Sequence, residues 1–378
     1  MDFSQWGEPS KEWLSFAAAN SATLSRSDDH LPALKQQENA NNGRAKVAKT
    51  LIAATGLDKL VATQDYVVPM RDGNSITVRS YRPILLGSQP LPGYVYYHGG
   101  GFIYGGVETE IFHCSWVAHA LSMNVVHVVY RQTPHVKGLT IWHDGLDGFE
   151  WVATHTDTLG IDPSRLVVGG VSAGANLAAS VVQNELRRAR ETGSASRIKG
   201  QLLCIPNVVH KEAFPYHLFA DREKVSLVQC ADAAVIPKHR LALYTGLLGD
   251  EVDPTDRTWS PALAEEEELR GIPPTAFLIA GWDPLRDEAL WYAQKLKNAG
   301  VQTKVHIFPG LPHAFNSFRQ LPSHKRWNEV LLDCLRWAAA DEDSWMVELP
   351  PAMPSGIEGA AATTSSTQPA TTGVTIVG

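Results

Sequence analysis

A serine stands between two glycines in Gly170-Val171-Ser172-Ala173-Gly174, directly after the apolar run 166–169 and directly before a helical pattern. A chain that turns this sharply from strand to helix lifts the serine Oγ clear of the sheet and sets it beside a helix N-terminus, where negative charge is stabilised. That placement suits a nucleophile for acyl transfer; a serine that only caps the helix is the plainer alternative. Upstream, Tyr97-His98-Gly99-Gly100-Gly101-Phe102 closes a second apolar run, 94–97. Glycines let backbone approach a substrate closely. The N–H groups of Gly100 and Gly101, with that of Ala173, can therefore converge on an oxyanion, while His98 and Gly99 support the loop. A phosphate loop does not fit, because 99–106 holds neither G-x-G-x-x-G nor a Lys-Ser/Thr ending.

Acyl transfer also needs a base to take the serine's proton and an acid to orient that base. Among fourteen histidines, His127 lies inside an apolar run, and His119, His143 and His155 lie on or beside helical patterns, where structural or solvated roles are the default. His313 differs. It occupies the loop Gly310-Leu311-Pro312-His313-Ala314-Phe315, just past the last apolar run, and open α/β sheets keep their ligands at the carboxyl ends of their strands. Two acids compete. Asp283 follows Phe277-Leu278-Ile279-Ala280-Gly281-Trp282 at another strand end, although Asp-Pro-Leu-Arg is also a good helix start. Asp287, in the first helical turn, is accounted for by the helix dipole. Asp283 is the better candidate. The order Ser172, Asp283, His313 then differs from that of chymotrypsin-like and subtilisin-like proteases.

The elements that must hold these residues alternate. Strand-like runs fall at 94–97, 125–130, 166–169, 201–205, 275–280 and 305–308, with helical patterns at 111–121, 145–155, 173–190 and 285–298 and an amphipathic helix near 325–339. Strands this apolar, separated by helices, predict a mostly parallel sheet covered on both faces. A hairpin over 66–81, turning at Arg71-Asp72-Gly73-Asn74, precedes it. Residues 1–60 read as helical, with no strand, and 207–258 breaks the alternation, so the two segments together predict a cap. The expected organisation is therefore a cap segment 1–60, core 61–206, cap insertion 207–258, core 259–345 and a tail 346–378. The tail, mostly Ala, Thr, Ser, Pro and Gly, is too poor in apolar residues to fold and is expected to be disordered.

The chain has 378 residues, 44% of them hydrophobic and 19% charged, with a formal net charge of −7. That is ample for a full core. No basic stripe is present for nucleic acid, an acidic balance gains nothing at an anionic membrane surface, and no apolar run nears the ~20 residues that span a bilayer. The opening residues lack the cationic-then-apolar order of a secretory signal, and Cys114, Cys204, Cys230 and Cys334 are dispersed, as reduced thiols would be. A cytoplasmic location is the expectation.

Taken together, these motifs resemble the hormone-sensitive-lipase branch of the α/β-hydrolases, the carboxylesterases with a His-Gly-Gly-Gly signature. The resemblance spans about 65–345. It includes His98 to Phe102, Tyr130-Arg131 with Pro134, Asp162 to Arg165, Ser172 to Ala178, Asp283 to Glu288, and Pro309-Gly310 through His313-Ala314-Phe315. It implies the α/β-hydrolase fold, the triad Ser172, Asp283 and His313, an oxyanion hole in the glycine loop, a two-part cap, and no cofactor or metal. The chain departs from the family at Val171, where an acidic residue is usual, at Ala175, where Gly is usual, and at Gln132-Thr133-Pro134-His135, where Leu-Ala-Pro-Glu is usual.

The sequence thus predicts a serine hydrolase for small-molecule esters of short to medium, uncharged acyl groups, with a homodimer as candidate assembly. Phe102, Phe214, Tyr216 and Phe219, joined by Trp6, Trp13 and Phe16, are expected to wall the acyl site. Two alternatives stand beside it. One is the same triad serving the biosynthesis of a specialised metabolite. The other is a ligand-binding relative of the gibberellin-receptor kind, a class that lacks an intact triad.

Overall fold

The computed structural model describes residues 1–24, 28–249, 252–340 and 375–377. The apolar runs become strands: β1 (Val61–Pro69), β2 (Ser75–Pro83), β3 (Leu91–Tyr97), β4 (Asn124–Val129), β5 (Ile161–Val171), β6 (Gly200–Cys204), β7 (Thr275–Trp282) and β8 (Thr303–Pro312). They lie in the order β1-β2-β4-β3-β5-β6-β7-β8. β1 and β2 form the antiparallel hairpin, β2 meets β4 antiparallel, and every pair from β4 to β8 is parallel. The continuous apolar character of β3 and β6 has a simple cause: every residue in them is buried.

Helices cover both faces. On one side, α4 (Thr140–Thr154), α5 (Ala173–Thr192) and α7 (Arg286–Asn298) pack Trp142, Phe149, Leu177, Val181 and Leu296 onto the sheet. On the other, α3 (Val107–Leu121) and α8 (Pro322–Ala339) contribute Val117, Leu121, Trp327, Leu331 and Leu335. Two helices begin earlier than expected: α4 at Thr140, not 145, and α3 at Val107, not 111. Gly145 and Gly148 lie inside α4, where Gly148 lets the helix sit against Val128.

The N-terminal segment contains α1 (Lys11–Ala19) and α2 (Ala33–Thr55); the segment 207–258 contains α6 (Lys238–Leu248). They touch at several points. The Met1 ammonium donates to Leu218 O at 2.7 Å, Lys224 pairs with Asp2, Asp29 pairs with Arg240 and His239, and the Phe3 and Phe219 rings meet at 6.2 Å. Of the tail read as disordered, 346–378, only Thr375–Val377 lies within the described residues. It forms β9, antiparallel to Lys304–His306 at the β8 edge. Edge pairing of this kind uses backbone groups alone, so a composition too poor to build a core does not forbid it.

Candidate active site

The elbow at Ser172 is built by close packing. β5 delivers Gly170 and Val171, α5 starts at Ala173, and Ser172 between them holds φ +55°, ψ −119°. A non-glycine residue in that region is strained. The strain persists because both ends are fixed: Ser172 N–H donates to Cys204 O at 2.8 Å, and Ala175 N–H donates to Ser172 O at 2.9 Å. Gly174 cannot be larger, since a Cβ there would overlap the carbonyl oxygens of Tyr97 and His98.

Two further strand ends bring the partners. β7 and β8 slip in register between Ala280 and Trp282, and Asp283 and His313 leave the sheet just beyond. Ser172 Oγ lies 2.9 Å from His313 Nε2, and His313 Nδ1 lies 2.7 Å from Asp283 Oδ2. The other carboxylate oxygen of Asp283 accepts from Leu285 N–H at 2.9 Å. Asp283 and His313 are both buried. Asp287 serves elsewhere. It accepts from the fully buried Arg286 guanidinium at 2.7 Å and from Ser226 N–H at 2.8 Å, tying the segment 207–258 to the loop after β7.

The glycine loop lies against the serine. Gly100 O accepts from the N–H groups of Ile103 and Tyr104, which folds the loop tightly. The N–H groups of Gly100, Gly101 and Ala173 have no protein acceptor among the described residues, so all three remain available to an oxyanion. The ring of Tyr244, on α6, rests on Gly101, where a Cβ would come within 2.6 Å of it. His98 points away from the serine. Its Nδ1 meets His127 Nε2 at 2.8 Å, its Nε2 meets the Gln132 amide at 2.8 Å, and its ring stacks on Tyr130 at 4.3 Å. It braces the loop from beneath.

Burial holds the His98 imidazole well below its ordinary pKa and that of His127 down to about 3. Both are neutral in the fold. An unfolded chain takes up protons near pH 6.5 that the folded one refuses, so their contribution is fully present above pH 6.5 and is lost as pH falls below it. His127→Gln is therefore expected to flatten the fall in Tm between pH 7 and pH 5, measured by calorimetry. An unchanged slope would mean that His127 charges freely in the fold.

A cavity of about 970 Å³ opens at Ser172 and His313. Its wall takes Leu241, Tyr244 and Leu248 from α6, Val47 and Leu51 from α2, and Trp259, Leu285 and Phe102 from the core. Phe102 therefore lines the cavity. Phe214, Tyr216 and Phe219 do not, which corrects the sequence expectation. They pack on one another at 4.9 and 5.3 Å and on Phe3, joining the N-terminal segment to the segment 207–258. Trp13 and Phe16 are likewise spent on each other and on Phe318, and Trp6 packs against the core.

Sequence reasoning also missed two supports of this wall. Asn176, on the first turn of α5, donates to Asn207 O and Trp259 O at 2.8 and 2.7 Å and accepts from Trp142 Nε1. Glu288 accepts from the Asn207 side chain and Val208 N–H at 2.8 and 2.7 Å, and burial pushes its carboxyl up to about 8. Four free cysteines are buried, and no cluster of metal-ligating residues occurs among the described residues. No described helix is long and apolar enough to cross a membrane.

Comparison with known proteins identifies the family. A family model described as the α/β-hydrolase fold matches residues 94–317. A versiconal hemiacetal acetate esterase of Dothistroma septosporum is 31% identical over 267 residues, 70% of this chain and 79% of that protein. The carboxylic ester hydrolase LipN of Mycobacterium tuberculosis is 32% identical over 281 residues, 74% of this chain and 70% of that protein. Among solved structures, vibralactone cyclase superposes with a TM-score of 0.80 at 26% identity, covering 88% of this chain and 96% of that one. A bacterial heroin esterase does so with a TM-score of 0.73 at 27% identity, over 88% and 98%. The chain belongs to the α/β-hydrolase fold family, in its hormone-sensitive-lipase-like branch of carboxylesterases.

Proposed function

We propose that this chain hydrolyses carboxylic esters of short to medium, uncharged acyl groups through an acyl-enzyme on Ser172. The observation that carries the reading is the unbroken line from Ser172 Oγ through His313 to Asp283, at 2.9 and 2.7 Å, in a cavity also lined by Gly100, Gly101 and Ala173, whose N–H groups have no protein acceptor among the described residues. Ser172 Oγ attacks the ester carbonyl as its proton passes to His313 Nε2. The carbonyl oxygen, gaining the electron pair, is held by the N–H groups of Gly100, Gly101 and Ala173. The tetrahedral centre collapses, and His313 returns the proton to the departing alkoxide. Water, deprotonated by the same nitrogen, then attacks the acyl carbon and releases Ser172. Asp283 keeps the proton of neutral His313 on Nδ1 and steadies the imidazolium. Phe102 and Trp259 line the cavity and limit the acyl chain there, with the Trp142 ring packed on both at 4.7–5.0 Å.

Graded p-nitrophenyl esters test this. Each methylene buried in an apolar pocket gains about 0.8 kcal/mol until the pocket is full, so kcat/KM is expected to peak at butyrate or hexanoate, well ahead of palmitate, and to survive EDTA. A preference for palmitate would overturn the closed acyl pocket.

A second reading has its own support. Beyond Phe102 and Trp259 the cavity runs on to Val47, Leu51, Leu241 and Leu248, and similar proteins include one named for a hemiacetal acetate and one named a cyclase. On that reading the same triad acts on a specialised metabolite, and a hydroxyl of the substrate can take the place of water. Negligible turnover of every simple ester, with Ser172 still reactive towards a fluorophosphonate, would favour it.

A further inference from the structure

One helix of the N-terminal segment reaches down to the loop that carries the oxyanion donors. On α2, Gln37, Asn41 and Arg44 stand at i, i+4 and i+7, which places them on one face. Gln37, buried at this contact, donates from Nε2 to Ile103 O at 2.6 Å and to Thr133 O at 3.1 Å. Its Oε1 accepts from His135 Nε2 at 3.1 Å. Asn41 engages both backbone groups of Gly105: it accepts from the N–H at 2.8 Å and donates to the carbonyl at 3.3 Å. Arg44 Nη1 donates to Gly99 O at 3.4 Å. These contacts fall on both sides of Gly100 and Gly101.

The two donor residues cannot fix themselves. Gly100 sits at φ +143° and Gly101 at φ +62°, and glycine has no Cβ to restrict its torsions. Yet a donor helps only if it already points where negative charge will develop, and losing one such donor typically costs 10²–10³ in kcat. The restraint must come from neighbours. From the core, Thr133 donates to Phe102 O from both N and Oγ1, at 2.9 and 3.1 Å. Gln37 bridges Thr133 and Ile103, so the cap helix closes the same clamp from above.

We propose that Gln37 and Asn41 are positioning residues for the oxyanion hole, so that the hole is complete only while α2 is seated. Opening the cap then switches off the chemistry as well as uncovering the cavity. The inference rests on the reading of Ser172, Gly100 and Gly101 given above. A purely structural role for the two side chains would lower stability or raise KM. Positioning instead lowers kcat and weakens any ligand that forms an oxyanion in the hole. A trifluoromethyl ketone is such a ligand: Ser172 Oγ adds to its carbonyl carbon, the proton moves to His313, and the carbonyl oxygen takes the electron pair.

The test compares Asn41→Ala, Gln37→Leu and Asn41→Asp in the full chain. With p-nitrophenyl butyrate, the first two are expected to lower kcat about 10–100-fold and to leave KM within about threefold. The Ki of the ketone should rise by the same factor as kcat/KM falls. Asn41→Asp keeps an acceptor for Gly105 N–H and should retain more kcat than Asn41→Ala. If Gln37→Leu does not fold, the half-buried Asn41 position carries the comparison alone. Unchanged kcat, or a loss of kcat without weaker ketone binding, would overturn the proposal. A wild type labelled by fluorophosphonate at Ser172, with variants of wild-type kinetics, would remove the clamp alone. A wild type not labelled there would remove the reading of the whole site.

Discussion

Ser172→Ala is expected to leave a folded protein whose esterase activity is lower by at least about 10⁴-fold, because nucleophile and base act as one unit. The fold should survive for a local reason. The elbow is fixed by Ser172 N–H on Cys204 O and by the bonds Ser172 O accepts from α5, all of which alanine keeps. The only hydrogen bond of Oγ among the described residues is to His313 Nε2. Alanine at φ +55° carries the same backbone strain as serine. On the proposed mechanism the N–H groups of Gly100, Gly101 and Ala173 and the cavity remain after the substitution, and these alone would hold a residual rate over water. A fluorophosphonate should label the wild type and not the variant, with Tm nearly unchanged. Labelling at another serine would move the nucleophile and with it the whole assignment.

Ser172, Asp283 and His313, which meet in the structure, were legible as a group because each combines a residue type with a local context: Ser172 between glycines at a strand-helix turn, and Asp283 and His313 just beyond apolar runs. The sheet was legible for a related reason, since strands buried on both faces are apolar throughout. The cavity wall was not. Phe214, Tyr216 and Phe219 do bury themselves, as their type predicts, but against Phe3 and one another. Hydrophobicity says that a side chain leaves water, not which surface receives it. Tyr244 reached the wall through the placement of α6 above Gly101, and nothing local in 238–248 announces that. Gln37 and Asn41 were invisible in the opposite sense. Polar residues on a helix read as solvated, and their partners Ile103 and Gly105 lie 66 and 64 residues away.

The choice between two neighbouring carboxylates gives the second large effect. Asp283→Asn is expected to cost on the order of 10⁴ in kcat while folding normally. Asp283 Oδ1 accepts from Leu285 N–H, and Oδ2 faces His313 Nδ1. An asparagine that keeps its oxygen on Leu285 must turn its NH₂ towards His313. Nδ1 then has to accept, which moves the imidazole proton to Nε2, the atom 2.9 Å from Ser172 Oγ. That nitrogen can no longer take the serine's proton, so the base is lost without any group leaving its place. Asp287→Asn should behave in the opposite way. Its carboxylate touches neither His313 nor Ser172 but is the partner of Arg286, which is fully buried. Removing one member of a buried pair costs about 3–5 kcal/mol because the other charge is left uncompensated. The expected result is a Tm lower by several degrees, with kcat per folded molecule close to wild type. Measuring kcat and Tm for both variants separates the two roles. A large kcat loss in Asp287→Asn with little in Asp283→Asn would show that the acid of the triad had been assigned to the wrong carboxylate.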